Sequence, residues 1–524
     1  MTLRTTAPAD ARLGRLYREK GLWAEAPLRA GMERVARSAG DRIAVIDNDG
    51  AWTYAELRDR VEAALGALLG AELRPGDPVV IVSPNSREAV AAILATIRAD
   101  GVVVVIDRRC GALDLANAIA SSGSRHVVVP DELRVPLRVA DHPVAALSLN
   151  GVTAGRPVSD WAEPDPSLPR IVTFTSGTTR RSKGVIHTLE TMGAGCRNLA
   201  RSLGFTEHDR PFLSSPIATM TGFSQMLMAL RGGSIVLEDR FDPRRSLARI
   251  ERHRATVIGG APVILEVLFA EYDRQRLPSS SLQRIALGGT TIPRSVLEVA
   301  IDRFGIEPTR VYGSSEVPVH SCTSAGDSLE QRLSDDGVPS PGSECRLGAE
   351  HAAGHELLVR GPNMFQGYLY GEDNDGVFLD GWFRTGDLVE LHGRRLRVLG
   401  RLKDVAARKG LKISLAEVDD AASTLEGVLE ASAYAVPDPV TGERVVLAVC
   451  VADEAVQVSY DAVVSRLLAY GLARGKLPEE IVVWHEPLPR NASGKIVRAR
   501  LGEQAPGKRR DCAPRLAAEA AGHA

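Results

Sequence analysis

The sequence predicts an α/β protein: a large N-terminal domain of layered, mostly parallel sheets and helices, followed by a small α+β domain. Three observations predict it. Short β-branched runs alternate with amphipathic stretches through residue 399. Beyond that point extended runs outnumber helical ones. The chain also has 524 residues, more than one ordinary domain holds.

The elements follow in order. "TYAE" (Thr53, Glu56) is a capping box in front of the helical "LRDRVEAALGALLG". "PVVIVS" and "GVVVVID" are continuous apolar runs, as in strands buried on both faces. Each precedes a helical pattern, "SREAVAAILATIRADG" and "ALDLANAIASSG", and "HVVVP" follows as another strand. "RIVTF", "GSIVLED", "ATVIGG" and "RIALGG" continue the series. Asp242 and Pro243 supply the N-cap and first position of the helix "RRSLARIERH". Past residue 400, "SLAEVDDAASTLEG" has its own box at Ser414 and Glu417, among the strands "ASAYAV", "RVVLAVCVA" and "IVVW". These patterns divide the chain into 1–399, a link "GRLKD" at 400–404, a domain at 405–501, and a disordered tail at 502–524.

Composition narrows the function. Lys plus Arg is 64 and Asp plus Glu is 66, a balance that excludes non-specific nucleic-acid binding. No apolar run approaches the roughly 20 residues of a membrane span, and the N-terminus has no signal-peptide core. The six cysteines form no CxxC pair, so neither a disulfide framework nor a zinc site is implied. The expected setting is the cytoplasm, without a nucleic-acid or membrane partner.

Five loci can carry chemistry. "TSGTTRRSKG" at 175–184 follows a strand and is built to wrap an anion. It is not a Walker A loop, because Lys183 precedes Gly184. Gly177 still lets backbone N–H groups approach a phosphate, Thr175, Ser176, Thr178 and Thr179 offer hydroxyls, and Lys183 adds charge. A Ser/Thr-rich surface turn has the same composition. "VYGSSEVP" at 311–318 sets Glu316 beside two hydroxyls after a strand, a place suited to magnesium and phosphate, or to an ordinary turn. In "DGWFRTGDL", Asp387 can accept from two ribose hydroxyls; a hairpin turn reads alike. "GRLKDVAARKGLKI" is a basic interdomain segment or a solvated linker. Lys495, in "LPRNASGKIVRARL", sits on a small-residue turn from which it can neutralise charge on a transferred phosphoryl oxygen, or simply face water.

Taken in order, "TSGTTRRSKG", "YGSSE", "WFRTGD", "GRLKD…GLKI" and "PRNASGK" resemble the core motifs of the adenylate-forming, AMP-binding enzymes. That superfamily includes the acyl- and aryl-CoA synthetases and the peptide-synthetase adenylation domains. The resemblance covers residues 15–501. It implies a mobile C-terminal lid, with the active site between the domains. It also implies two half-reactions: a small carboxylic acid displaces pyrophosphate from ATP with Mg2+, and a thiol then takes the acyl group from the adenylate. The thiol belongs to CoA or to the phosphopantetheine of an acyl carrier protein. By the same resemblance, Lys495 serves adenylation, Lys403 is the hinge, Gly410 faces the pantetheine channel, and Glu316 binds the metal. Tyr312 stacks on adenine, Asp387 and Arg401 hold ribose, and Gly289, Gly313 and Ser315 complete the nucleotide set.

"YREKGLWAEAPL", "PIATMTGF" and "VLEDRFDPRRSLARIE" resemble cyclohexanecarboxylate-CoA ligases and aryl-acid adenylating enzymes more narrowly. This implies a compact cyclic or aromatic acid, in bacterial natural-product biosynthesis, and a pocket lined by Thr219, Thr221, Gly222, Phe223, Gly288, Thr290 and Ser314. Three stretches depart from the family pattern. Arg180 and Ser182 replace a glycine and a proline, Thr219 stands where relatives carry a gating histidine or aromatic residue, and "GGTTIP" is more polar than usual. They leave open a non-thiol partner (amide formation, or diazotisation of an aryl amine with nitrite) and a non-catalytic adenylate-binding role. A homodimer is a further expectation.

Overall fold

The computed structural model describes residues 11–23, 35–133, 138–139, 142–159, 164–175, 183–290, 292–351, 354–408, 411–451, 458–491 and 494–516. Two compact units emerge. One comprises Met1–Gly289, Arg294–Glu344 and Arg360–Phe383; the other comprises Thr290–Pro293, Cys345–Val359 and Arg384–Ala524.

In the first unit, α1 (Ala11–Glu19) precedes the hairpin of β1 (Ile43–Ile46) and β2 (Ala51–Thr53). Thr53 then caps α2 (Tyr54–Gly70) with the reciprocal box: Glu56 N–H donates to Thr53 Oγ1, and Thr53 N–H donates to the Glu56 carboxylate. The chain continues through β3 (Pro78–Ser83), α3 (Arg87–Arg98), β4 (Val102–Asp107), α4 (Ala112–Ser122), β5 (His126–Val129), the small pair β6 (Arg138–Val139) and β7 (His142–Pro143), β8 (Ala145–Ser148) and α5 (Leu149–Thr153). β9 (Pro169–Phe174) and β10 (Gly184–Thr188) complete a six-stranded sheet of order β10-β9-β4-β3-β5-β8, parallel except for β10 against β9. β3 is buried at every position, as its unbroken apolar run requires.

α6 (Leu189–Ser202) leads to the second sheet: β11 (Pro211–Leu213), α7 (Met220–Ala229), β12 (Ile235–Leu237), α8 (Pro243–His253), β13 (Val257–Gly260), α9 (Pro262–Arg274), β14 (Arg284–Gly288), α10 (Arg294–Phe304), β15 (Glu307–Tyr312), β16 (Ser321–Cys322), α11 (Leu329–Ser334) and β17 (Val338–Pro339). Its order is β17-β16-β15-β14-β13-β11-β12-β1-β2, with parallel pairing from β15 to β1. Asp242 caps α8 and Pro243 begins it, as expected. The C-terminal ends of β11, β13, β14 and β15 line up, so residues 213–215, 259–260, 288–289 and 312–316 share one rim.

Beyond β17 come β18 (Glu344–His351), β19 (Gly354–Arg360), β20 (Phe378–Leu379), β21 (Trp382–His392) and β22 (Arg395–Arg401), which make a five-stranded sheet. A six-stranded sheet follows, built from β23 (Val405–Arg408), β24 (Leu411–Ser414), β25 (Val428–Asp438), β26 (Gly442–Val451), β27 (Glu480–Trp484) and β28 (Arg510–Cys512). It is accompanied by α12 (Leu415–Ala422), α13 (Tyr460–Tyr470) and α14 (Arg498–Gln504). The division between the units falls before the 400–404 segment. Ser414 Oγ donates to Leu399 O (2.9 Å), tying the start of α12 to the end of β22 and joining that hairpin to the C-terminal fold.

Two local expectations need correction. Ser414 does cap α12, but the Glu417 carboxylate turns away to Lys476 Nζ (2.6 Å) instead of closing a box. The stretch from 502 is not a disordered tail over its described part. α14 runs to Gln504, and β28 adds to the sheet beside β27, with Arg510 on Glu480 (2.6 Å) and Arg515 on Asp438 (2.9 Å). The polar, Gly- and Pro-containing sequence concealed a three-residue strand whose partners are distant in the chain.

Candidate active site

In the first unit the site begins at the neck of the 175–184 loop. Ser176, Gly177, Thr178 and Thr179, with Arg180 and Ser182, lie outside the described residues. Thr175 and Lys183 close the neck: Thr175 N–H donates to Lys183 O (2.9 Å), and Lys183 N–H donates to Thr175 Oγ1 (3.3 Å). The antiparallel β9–β10 pair makes this closure, with Phe174 opposite Gly184. A Cβ at Gly184 would lie 3.0 Å from the Leu369 Cβ, so a glycine lets the 366–369 segment lie close against β10. That segment pairs with β10 through Ile186 N–H to Gly367 O, Gln366 N–H to Ile186 O and Leu369 N–H to Gly184 O.

Tyr368 is thereby delivered between two charged groups. Lys183 Nζ lies 4.6 Å from the centroid of the Tyr368 ring and 3.7 Å from Asp373 Oδ1. The Tyr368 hydroxyl donates to Glu316 Oε1 (2.6 Å). Lysine and carboxylate, 133 positions apart by residue number (316 minus 183), therefore share one phenol.

The Glu316 turn is tightly built. Gly313 follows β15, and a Cβ there would meet Val319 N at 2.6 Å and Val317 O at 2.9 Å. Ser314 Oγ accepts from Glu316 N–H (3.2 Å) and Val317 N–H (3.3 Å). His187 Nε2–H donates to Ser315 O (2.8 Å), and His187 Nδ1 lies 3.0 Å from Thr191 Oγ1. Burial lowers the His187 pKa to about 4, so the ring is neutral and carries its proton toward the Ser315 carbonyl, an acceptor only. Tyr312 stands edge-on to His320 (centroids 6.1 Å apart), whose pKa burial also lowers to about 4.

Among the described residues no three His, Cys, Asp or Glu side chains gather to hold a metal. Glu316, one carboxylate with one oxygen already bonded to Tyr368, fits magnesium, which takes one or two carboxylates and fills its other positions with phosphate and water.

The expected pocket residues divide. Thr219 caps α7: its hydroxyl bonds Pro216 O (2.8 Å) and accepts from Gly222 N–H (3.1 Å). A Cβ at Gly222 would lie 2.1 Å from Pro216 O, and one at Gly288 2.2 Å from Val311 O, so both are glycines for backbone approach. Phe223 is fully buried in the main core and lines no open surface, because the helical period turns it inward. Thr221 and Thr290 are exposed, and Gly289 turns the chain at φ +79°.

In the second unit, Asp387 and Arg401 are cross-strand partners on β21 and β22, with an ion pair of 2.9 Å. Thr385 anchors the turn before them by donating to Leu357 O (2.8 Å) and accepting from Asp387 N–H (3.0 Å). Lys403 lies in a short 3-10 turn, Leu402–Asp404, with its side chain outside the described residues, as is Gly410. Lys495 sits on a turn closed in both directions with Asn491: Lys495 N–H to Asn491 Oδ1 and Asn491 N–H to Lys495 O, both 2.9 Å. Arg490 braces it by donating to Gly494 O (2.6 Å) while paired with Glu430 (2.9 Å).

Sequence reasoning missed Tyr368, Asp373, His187 and Arg490. Their partners are long-range or backbone atoms, which spacing does not reveal. Only the aromatic and acidic "GYLYGED" carried a signal.

Residues 32–369 match the AMP-binding enzyme family, and residues 417–495 match the AMP-binding enzyme C-terminal domain. The medium-chain fatty-acid–CoA ligase of Escherichia coli (strain K12) is 30% identical over 92% of this chain and 90% of its own length. The feruloyl-CoA synthase of an Amycolatopsis species is 30% identical over 89% and 97%. O-succinylbenzoate coenzyme A synthetase from Bacillus subtilis, solved with ATP and magnesium ion, superposes with a TM-score of 0.80 at 26% identity, covering 91% of this chain and 99% of that one.

Proposed function

This chain belongs to the AMP-binding enzyme family, and from that membership we propose that it is an ATP-dependent acid–CoA ligase for a compact cyclic or aromatic carboxylic acid. In the first half-reaction a carboxylate oxygen attacks the α-phosphorus of ATP, and the bond to pyrophosphate breaks. In the second, the thiol of CoA, having lost its proton, attacks the acyl carbonyl and expels AMP. The observation that carries the reading is the Lys183–Tyr368–Glu316 arrangement at the neck of the phosphate loop.

Thr175 and Lys183 present the loop to the triphosphate, and Lys183 contributes positive charge. Glu316 and the nucleotide's phosphates would hold magnesium, which neutralises phosphate charge when bound. Tyr368 fixes the Glu316 oxygen to which it donates. Tyr312 stacks on adenine, and Asp387 and Arg401 hold the ribose. Lys495 stabilises charge during adenylation, while Lys403 and Gly410 serve the thiol-transfer step. The cyclic or aromatic preference is supported by comparators named for feruloyl and o-succinylbenzoate groups, although a third is named for medium-chain fatty acids.

The test is ATP turnover with pooled small cyclic and aromatic acids, AMP being resolved from ADP, with and without CoA. Acid-dependent AMP and a thioester that needs CoA are expected. Lys495→Ala should reduce adenylate formation by at least about a hundredfold, as for loss of a transition-state donor. AMP without thioester would redirect the second half-reaction to a carrier protein or an amine. No AMP with any acid would overturn the proposal.

A further inference from the structure

The strand-end rim of the first unit holds polar atoms that the fold leaves unused. Gln225, on α7, is buried, and its amide lies over Gly259 at the end of β13: a Cβ at Gly259 would stand 2.9 Å from Gln225 Nε2 and 3.1 Å from Oε1. Gln225 Oε1 has no hydrogen-bond partner among the described residues. Nor does the buried hydroxyl of Ser214, directly after the adjacent parallel strand β11, whose Phe212 pairs with Ile258.

Buried polar groups are normally hydrogen-bonded, so an unpaired buried acceptor marks a place where a ligand's donor can bind. Asn85 Nδ2 donates to Ser215 O and Glu238 O (both 3.0 Å), and its Oδ1 accepts from Ile217 N–H (2.8 Å). The loop entering α7 is therefore held firmly. Thr219 spends its hydroxyl on the cap. Glycines fill the facing positions 259, 260, 288 and 289, so no side chain of β13 or β14 covers the rim there.

We infer that the acid pocket is built for carboxylic acids bearing a hydroxyl or amino group, with Gln225 Oε1 accepting its proton-bearing end and the Ser214 hydroxyl as a second contact. This rests on the acid–CoA ligase reading and narrows its substrate class. A buried acceptor that the described residues leave unpaired favours ligands that donate to it and penalises isosteres that do not.

The test compares benzoate with its 2-, 3- and 4-hydroxy and amino derivatives, and cyclohexanecarboxylate with its hydroxy derivatives, by acid-dependent AMP release. The wild type should favour at least one donor-bearing acid over its parent by about tenfold or more in kcat/KM. Gln225→Met, of similar length but without the acceptor, should bring that ratio to within about threefold of unity. A wild type that does not discriminate, or a preference that survives in Gln225→Met, overturns the inference. If Gln225→Met does not fold, Ser214→Ala and the wild-type panel decide it: a wild type without preference, or an undiminished preference in Ser214→Ala, overturns the inference. AMP from every acid at equal kcat/KM refutes the subsite alone, whereas no AMP from any acid refutes the ligase reading with it.

Discussion

Tyr368 makes two unlike contacts with one ring, a cation against its face and a carboxylate at its hydroxyl. Tyr368→Phe keeps the first and deletes the second. A hydrogen bond to a charged group contributes about 1.5–3 kcal/mol. The variant should therefore unfold at a somewhat lower temperature and, with Glu316 no longer fixed, need more Mg2+ for half-maximal AMP formation. His187 and His320 give a second prediction at this scale. Burial holds both near 4 in the folded chain against an ordinary 6.5, so between those pH values the unfolded chain binds protons that the folded chain does not. Stability should rise from pH 4 to 6.5 and level off above, with up to about 3 kcal/mol from each histidine. Thermal unfolding in a pH series checks this, and His320→Phe should flatten the slope.

At the scale of elements, the turn after β15 depends on Gly313. Gly313→Ala places a Cβ 2.6 Å from Val319 N, and because backbone cannot yield as a flexible side chain does, the turn carrying Glu316 must move. The expected loss is about 2 kcal/mol or more, with adenylation falling further than stability; denaturant melts alongside AMP release separate the two. Regular elements were legible in the sequence because their signals are local. The apolar runs became β3, β4 and β5, and the Thr53 and Asp242 caps stand where they were read. β28 was not legible, since its strand partner, β27, is distant in the chain and its own sequence is polar. The site motifs were visible as residue types, but the phenol joining two of them was not, because the contact from Tyr368 to Glu316 follows from how the 366–369 segment lies along β10.

At the scale of the whole molecule, the second unit relies on its last described residues. β28 contributes Asp511, which accepts from Tyr460 N–H (2.7 Å) at the start of α13, and Ala513 N–H donates to Glu479 O (2.9 Å). A chain ended at residue 505 should lose at least about 2 kcal/mol, seen as a lower or separate unfolding transition. The pairing of 366–369 on β10 has a consequence of another kind. β10 closes one side of its sheet, and a bare strand there would offer its amides and carbonyls as a template to a second copy of the chain. The segment that delivers Tyr368 takes up that hydrogen-bonding edge itself, so the same four residues that place the phenol also cover the edge of β10.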